Sequence, residues 1–497
     1  MNPEALLTTI LLTPLAGAVL IGLLRKAPNL RETASVLTGV ALFACNYALF
    51  RAFQDGADPS LVLAELAPGL EIAFTIEPLG LAFALIASLL WPITTLYAIG
   101  YVRSHRERNQ TRFYASFALS LFAVIGLAYS ANLATLFVCY EALSLATWPL
   151  VTHANNRSAW AAGRVYLGIL MSTSIAFLLL ACVATYVLTG TTDFTPGGIL
   201  SQPLADGTAS SLGLGILLML FVFGTGKAAI MPFHRWLPNA MVAPTPVSAL
   251  LHAVAVVKAG VFTILKVSVY IFGLDLMREL DLHLVLAYLA AFTVVAASVI
   301  ALGKDNLKER LAYSTIGQLS YITLGAMVAT PKAIEGAGLH IAAHAFGKIT
   351  LFFAAGAFII TAHKSRVSQI DGIAKRMPIT MGCFLVGALA IVGMPPTGGM
   401  WSKLLLVDGM ASSGHWPLMA ALLVSSLLNV AYLLSVPFRA FVLPEAPRTG
   451  SYADHGMAPL LCRVAMVTTA SLTVLLFFFP DQVHGLVRLA AESTPTP

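Results

Sequence analysis

Charge is what this 497-residue chain has least of. Only 10% of its residues are Asp, Glu, Lys or Arg, while 58% are apolar; mean hydropathy is +0.84. Soluble domains carry about a quarter charged residues, so a water-soluble protein of this length is excluded. Cysteine is scarce as well. Cys45, Cys139, Cys182, Cys383 and Cys462 are scattered without metal or disulfide spacing, and read as compact apolar thiols. The chain has no phosphate-cradling glycine loop, no haem or iron–sulfur cysteine pattern and no nucleic-acid signature. No cofactor, metal site or catalytic chemistry is therefore expected, and any redox step lies elsewhere. The N-terminus MNPEALLTTILLTPLAGAVLIGLL lacks a positive leader and reads as a retained first span.

What the chain does have is apolar runs long enough to cross a bilayer as helices. Cut at charged or Pro/Gly-rich segments, they predict an all-α polytopic membrane protein of about fourteen spans. The first seven are 5–24, 32–53, 78–102, 113–130, 132–153, 163–190 and an interrupted 212–242. The second seven are 246–272, 282–302, 308–329, 336–363, an interrupted 378–412, 416–437 and 458–480. With both termini outside, 20 of the 29 Lys and Arg residues fall on the cytoplasmic side, 4 outside and 5 within spans, the bias the positive-inside rule requires. The outer loop 54–77 is acidic, with Asp55, Asp58, Glu65, Glu71 and Glu77. It and the 191–211 loop are too short for a soluble domain.

Two spans are broken in mid-membrane, at Pro232 and at Val392-Gly393-Met394-Pro395-Pro396-Thr397-Gly398-Gly399. Broken backbone at that depth is tolerated where it is buried or lines a wet cavity. The breaks lie in spans seven and twelve. An offset of five places the units around them in opposite orientations, as two inverted five-helix repeats of the transporter kind. The expected divisions are an N-terminal three-helix segment (1–110), a first repeat (111–275), a second repeat (276–440) and a C-terminal helix with its tail (441–497).

Ionisable residues inside spans are costly and mark function by default. Glu141 stands alone in LFVCYEALSLATWPL, and Lys227 precedes the first break. A carboxylate and a lysine of changing separation can load and release a proton; the competing reading is a static ion pair locking two helices. His252 and Lys258 follow in span eight, six residues apart and thus on different faces. Lys266, nearer the outer end, fits snorkelling to the interface at least as well as function and stands outside the core set. In GLHIAAHAFGK, His340, His344 and Lys348 are spaced i, i+4, i+8 and form one helical stripe. Lys403 follows the second break and precedes a polar region holding Asp408 and His415. Histidine titrates near neutral pH, and burial disfavours the charged form of an amine. Ser144, Thr245, Ser248, Thr315 and Ser320, with waters, are expected to fill the gaps. Basic groups in series suit proton hopping better than sodium coordination, which needs several oxygens.

The run PFHRWLPNAMVAPTPVSALLHAVAVVKAG, with DNLKERLAYSTIGQLSYI, HIAAHAFGKITLFFAAG and YEAL, resembles the antiporter-like subunits shared by respiratory complex I, membrane-bound hydrogenases and Mrp-type cation/proton antiporters. The resemblance covers roughly residues 70 to 440. It implies fourteen helices with two inverted repeats. It also implies a proton path with Glu141 and Lys227 as input pair, continued by His252 and Lys258, then by His340, His344 and Lys348, and ending at Lys403, with His234 assisting near the cytoplasmic inlet. GMPPTGGMWSKLLL is most similar to the D-type subunits of the Mrp antiporters. The family departs from this chain at the C-terminus, where ESTPTP trails and no long lateral helix is expected. The expected function is proton translocation within a multisubunit Mrp-type sodium/proton antiporter in a bacterial or archaeal inner membrane. The alternative is a pump subunit of a complex I-like or hydrogenase-like redox complex. Expected partners are other membrane subunits, protons, sodium and lipid, without nucleic acid.

Overall fold

A computed structural model describes residues 2–67, 70–444 and 456–492. Arg448, one of the 20 Lys and Arg residues counted above on the cytoplasmic side, and the last five residues of the ESTPTP tail lie outside the described residues. Six long helices come first: α1 (Pro3–Leu23), α2 (Pro28–Gln54), α3 (Pro78–Ser104), α4 (Gln110–Ala128), α5 (Leu133–Val151) and α6 (Arg157–Thr189). The seventh span is α7 (Ser211–Gly224), continued by short turns up to Pro244. Then follow α8 (Thr245–Phe272), α9 (Asp281–Gly303), α10 (Leu307–Val328) and α11 (Pro331–Ala362). The twelfth span is split into α12 (Pro378–Val392) and α13 (Gly399–Ser412); α14 (Trp416–Val442), α15 (Leu460–Phe478) and a short α16 (Asp481–Glu492) complete the chain.

Among the described residues, eleven helices are long and apolar enough to cross a membrane. The other three of the fourteen spans are the two broken ones and α10, whose start carries Lys308, Glu309 and Arg310. Helix starts follow local chemistry. Asn132, Asn156, Asn306 and Thr330 each accept a backbone N–H three residues on, and Pro28, Pro78, Pro331 and Pro378 occupy first-turn positions where a missing N–H costs nothing. The broken spans are five apart, the offset expected of two inverted five-helix repeats.

Burial decides which helices matter. The most apolar stretch of α8 is 100% buried and that of α11 89%, against 33% in α6 and α14. A helix buried on every side needs no polar face, so titratable residues on α8 and α11 are unexpected on packing grounds. These two helices form the centre, and the others wrap them.

Three expectations change at one end of the bundle. The acidic loop holds an antiparallel hairpin, β1 (Ser60–Ala67) and β2 (Leu70–Thr75). It is pinned by Thr75 N donating to the Tyr129 carbonyl (2.8 Å) and Ala73 N to Thr135 Oγ1 (2.9 Å). Strands this short are hard to tell from loop by periodicity. Lys266 does not snorkel. It is fully buried, and its ammonium sits 2.6 Å from Glu77 Oε1 and donates to the Ser130 carbonyl at 2.6 Å. An available carboxylate next to α8 offers a better partner than the interface. Finally, α16 caps the bundle, burying Leu486 and Val487 while His484 reaches Glu335 at 2.8 Å.

At the opposite end, His153 follows α5 with its ring buried, 3.8 Å from Glu107. Burial depresses its proton affinity below the ordinary histidine value, although Glu107 works the other way. The unfolded chain then binds a proton that the folded chain refuses. Stability is therefore expected to be complete above about pH 6.5, the unfolded histidine value, and to fall as pH drops below it. Thermal midpoints measured from pH 7.5 to 5 check this; a slope that persists in His153→Phe refutes the assignment.

Candidate functional site

The first break places Lys227. After α7, residues Gly226–Ala228 form a single tight turn, and Trp236, fully buried, donates through Nε1 to the Gly226 carbonyl at 3.0 Å. Gly260 of α8 lies against this turn, and a methyl group there would collide with the Lys227–Ala228 peptide. The lysine is thus wedged between α8 and α5. Its Nζ donates to the Tyr140 carbonyl (2.8 Å) and Ser144 Oγ (2.7 Å), and lies 3.1 Å from the Tyr140 ring centroid.

Glu141, the next residue on α5, does not form a direct ion pair with Lys227. Its two carboxylate oxygens are buried and make no hydrogen bond among the described residues. A buried, unpaired carboxylate is costly. This one stands on a half-exposed face beside the exposed Val138 and Leu145.

Among the described residues, one side-chain hydrogen bond joins α8 and α11. The Lys258 ammonium hydrogen-bonds His344 Nδ1, and both residues are fully buried. His252 sits on a wider helical turn, Leu250–Val254, with its ring 4.8 Å from that of Phe352. Neither of its nitrogens has a hydrogen bond among the described residues. The i, i+4, i+8 stripe is present as read. The His340 and His344 rings stack at 6.0 Å. His340 Nε2 donates to Gln318 Oε1 at 3.1 Å, which leaves Nδ1 facing the Ser402 hydroxyl at 2.8 Å. Lys348 donates to Ser314 Oγ at 2.8 Å.

The second break places Lys403 one turn into α13. Gly393 adopts φ +89°, and a Cβ there would press on Lys403 Cδ at 2.7 Å, so glycine is needed for both conformation and space. The broken segment is covered by α15: Gly398 N donates to the Thr473 carbonyl (3.0 Å) and Trp401 Nε1 to the Phe477 carbonyl (2.9 Å). Irregular backbone is paired by protein, as membrane depth demands. Lys403 Nζ donates to the Val392 carbonyl (2.9 Å) and Ser426 Oγ (3.0 Å).

Seven of the nine singled-out residues are thus fully or nearly fully buried; Glu141 is partly so, and His234 is half-exposed with its ring 6.4 Å from that of Tyr313. Of the polar gap-fillers read from sequence, Ser144 holds Lys227. Thr245 bonds the Tyr101 hydroxyl (3.4 Å), Ser248 weakly contacts the Pro244 carbonyl, and Thr315 and Ser320 return to carbonyls of their own helix. The groups that do reach the site are Tyr140, Ser314, Gln318, Ser402 and Ser426. Lys308 was also missed: it was one of the 20 charges counted on the cytoplasmic side, but its ammonium donates to the Ala243 carbonyl at 2.6 Å beside the first break.

Comparisons with known proteins place the chain. Residues 130–429 match the family described as NADH:quinone oxidoreductase/Mrp antiporter, TM. NADH-quinone oxidoreductase subunit N of Desulforudis audaxviator (strain MP104C) is 34% identical over 405 residues, covering 81% of this chain and 79% of that protein. A chain in the structure of the Mrp complex from Dietzia sp. DQ12-45-1b has the same fold, with a TM-score of 0.85 at 20% identity over 99% of this chain and 97% of that one. So does one in the membrane-bound sulfane sulfur reductase, an archaeal respiratory membrane complex, with a TM-score of 0.83 at 23% identity over 98% and 97%. The chain belongs to the NADH:quinone oxidoreductase/Mrp antiporter transmembrane family, as an antiporter-like, proton-translocating membrane subunit.

Proposed function

We propose that this protein carries protons for a multisubunit Mrp-type sodium/proton antiporter, through a chain of buried side chains. The path runs from Glu141 and Lys227 to His252 and Lys258, then along His344, His340 and Lys348 to Lys403, with His234 near the cytoplasmic inlet. The observation that carries the reading is the Lys258–His344 hydrogen bond, which joins the central helices of the two halves. Lys227, Lys258, Lys348 and Lys403 have no carboxylate within 4 Å among the described residues. Unpaired buried amines are costly as scaffolding but suited to passing a proton. Lys403 and the GMPPTGGMWSKLLL segment favour the Mrp-type assignment. The 20-to-4 charge bias supports both termini on the outer side of a bacterial or archaeal plasma membrane. Apolar residues exposed on α1, α2 and α6, such as Leu23, Leu37 and Val187, supply surface for lipid and neighbouring subunits.

A second reading has its own support. The 34% identity to an NADH-quinone oxidoreductase subunit N favours the same path driven by redox chemistry in other subunits. Moving one charge against 100 mV costs about 2.3 kcal/mol, which a sodium gradient or an electron donor must supply.

Proton and sodium flux into vesicles holding the purified complex tests both. Lys227→Ala is expected to abolish proton flux while the complex stays assembled. Flux that needs sodium supports antiport, and flux that needs an electron donor supports the redox reading. Unchanged flux in Lys227→Ala shows that the lysine is a structural charge and refutes the path at its input.

A further inference from the structure

Between Lys348 and Lys403 the path read from the sequence names no further group, yet the structure fills the interval with hydroxyls from three helices. Lys348 donates to Ser314 Oγ of α10 at 2.8 Å. Ser314 and Ser298 of α9 both face the Tyr432 hydroxyl of α14. Ser298 Oγ lies 2.7 Å from Ser425 Oγ, across the α9–α14 interface. Ser425 and Ser426 both face the Tyr321 hydroxyl of α10, with Ser426 Oγ at 3.4 Å. Ser426 then accepts from Lys403 at 3.0 Å. Apart from Ser426, which is partly buried, these hydroxyl residues are almost fully sequestered.

A buried helical hydroxyl ordinarily bonds the carbonyl four residues back. Ser298 does so, to Val294 at 2.9 Å, but its oxygen also has the cross-helix partner. Two amides flank the series. Tyr432 donates to Asn429 Oδ1, and Gln318 faces Tyr321. An amide nitrogen has no lone pair free to take a proton, so these side chains orient the tyrosines and are not steps of a hop.

We propose that Ser314, Tyr432, Ser298, Ser425, Tyr321 and Ser426 form a hydroxyl relay that passes a proton between Lys348 and Lys403. This rests on the proton-path reading above and supplies its missing segment. The Lys348 ammonium gives a proton to Ser314. Each oxygen accepts one hydrogen as it releases its own to the next, and the neutral Lys403 amine becomes an ammonium. One N–H bond breaks, one forms, and nothing is oxidised or reduced. The hydroxyls then rotate back before the next transfer. The two tyrosines are the critical members: Tyr432 stands between serines of α9 and α10, and Tyr321 joins α10 to the serine pair of α14.

The test is proton flux in vesicles of the assembled complex, read from pH 6 to 9. Tyr321→Phe and Tyr432→Phe remove one oxygen each without changing ring volume, and Ser425→Ala is a smaller variant should either tyrosine change impair assembly. Each is expected to lower flux roughly tenfold or more, in keeping with the loss of a positioned proton-transfer group. Thr323→Val, which deletes a hydroxyl on α10 bonded only to its own helix, is expected to leave flux unchanged. Flux within twofold of the wild type in all three relay variants, with Lys348→Ala inactive, overturns the relay and leaves the path standing. Flux retained in Lys348→Ala overturns the path itself.

Discussion

Replacing Lys258 with alanine is expected to lower proton flux through the assembled complex by roughly a hundredfold or more, within the range that a positioned proton donor or acceptor contributes. Its ammonium makes the one side-chain hydrogen bond between α8 and α11 seen among the described residues. His252 lies earlier on α8, and the stripe of His340 and Lys348 flanks His344 on α11. With Lys258 gone, α8 and α11 lose that hydrogen bond in a region where neither residue is reached by solvent. Lys258→Arg separates transfer from charge. A guanidinium keeps the charge and the donors but does not give up a proton in a protein. It is expected to be as inactive as alanine. Near-wild-type flux in Lys258→Arg shows that Lys258 acts only as a fixed charge.

The largest stability effect is expected at Glu77, outside the proposed path. Glu77→Ala leaves Lys266 fully buried, with only neutral partners: the Ser130 carbonyl and hydroxyl and the Phe194 and Phe262 rings, 4.2 and 5.7 Å from the ammonium, among the described residues. Breaking a buried ion pair from one side costs about 3–5 kcal/mol. That loss acts where the outer hairpin, the start of α3 and the end of α8 are held together. The double variant Glu77→Ala/Lys266→Met removes the stranded charge as well and is expected to recover most of the loss. Thermal unfolding in detergent measures both. A single variant that melts with the wild type, or a double variant no better than the single, disproves the ion-pair account.

The two expectations rest on residues that were unequally legible. Lys258 is conspicuous in AVAVVKAG because a lysine in an apolar run has few bland explanations. Lys266, eight residues on, looked equally conspicuous but was misread. Its partner Glu77 is distant in the chain, and proximity to a helix end favoured snorkelling. Ser314 and Thr315 show the same limit at finer scale. They are adjacent and chemically alike, yet Ser314 receives Lys348 while Thr315 returns to the Leu311 carbonyl. Only the rotation of α10 about its axis distinguishes them. Tyr321, Ser425, Ser426 and Tyr432 were invisible for that reason, since hydroxyls are common in membrane helices and carry no signal of which way they face.

Sequence alone determined the membrane class, the fourteen spans, the two broken helices and the titratable stripe of α11. Each follows from a local constraint: the cost of charge in lipid, the length needed to cross it, the disruption caused by proline and glycine, and the 3.6-residue turn. The tertiary structure decided which charges meet. It seated Lys227 on Tyr140 and Ser144 while leaving Glu141 without a hydrogen bond among the described residues, joined Lys258 to His344, gave Lys266 to Glu77, and set Ser314 on Lys348 and Ser426 on Lys403. Those pairings depend on how helices rotate and cross, and apolar faces that pack equally well in several registers leave no trace of that choice in the sequence.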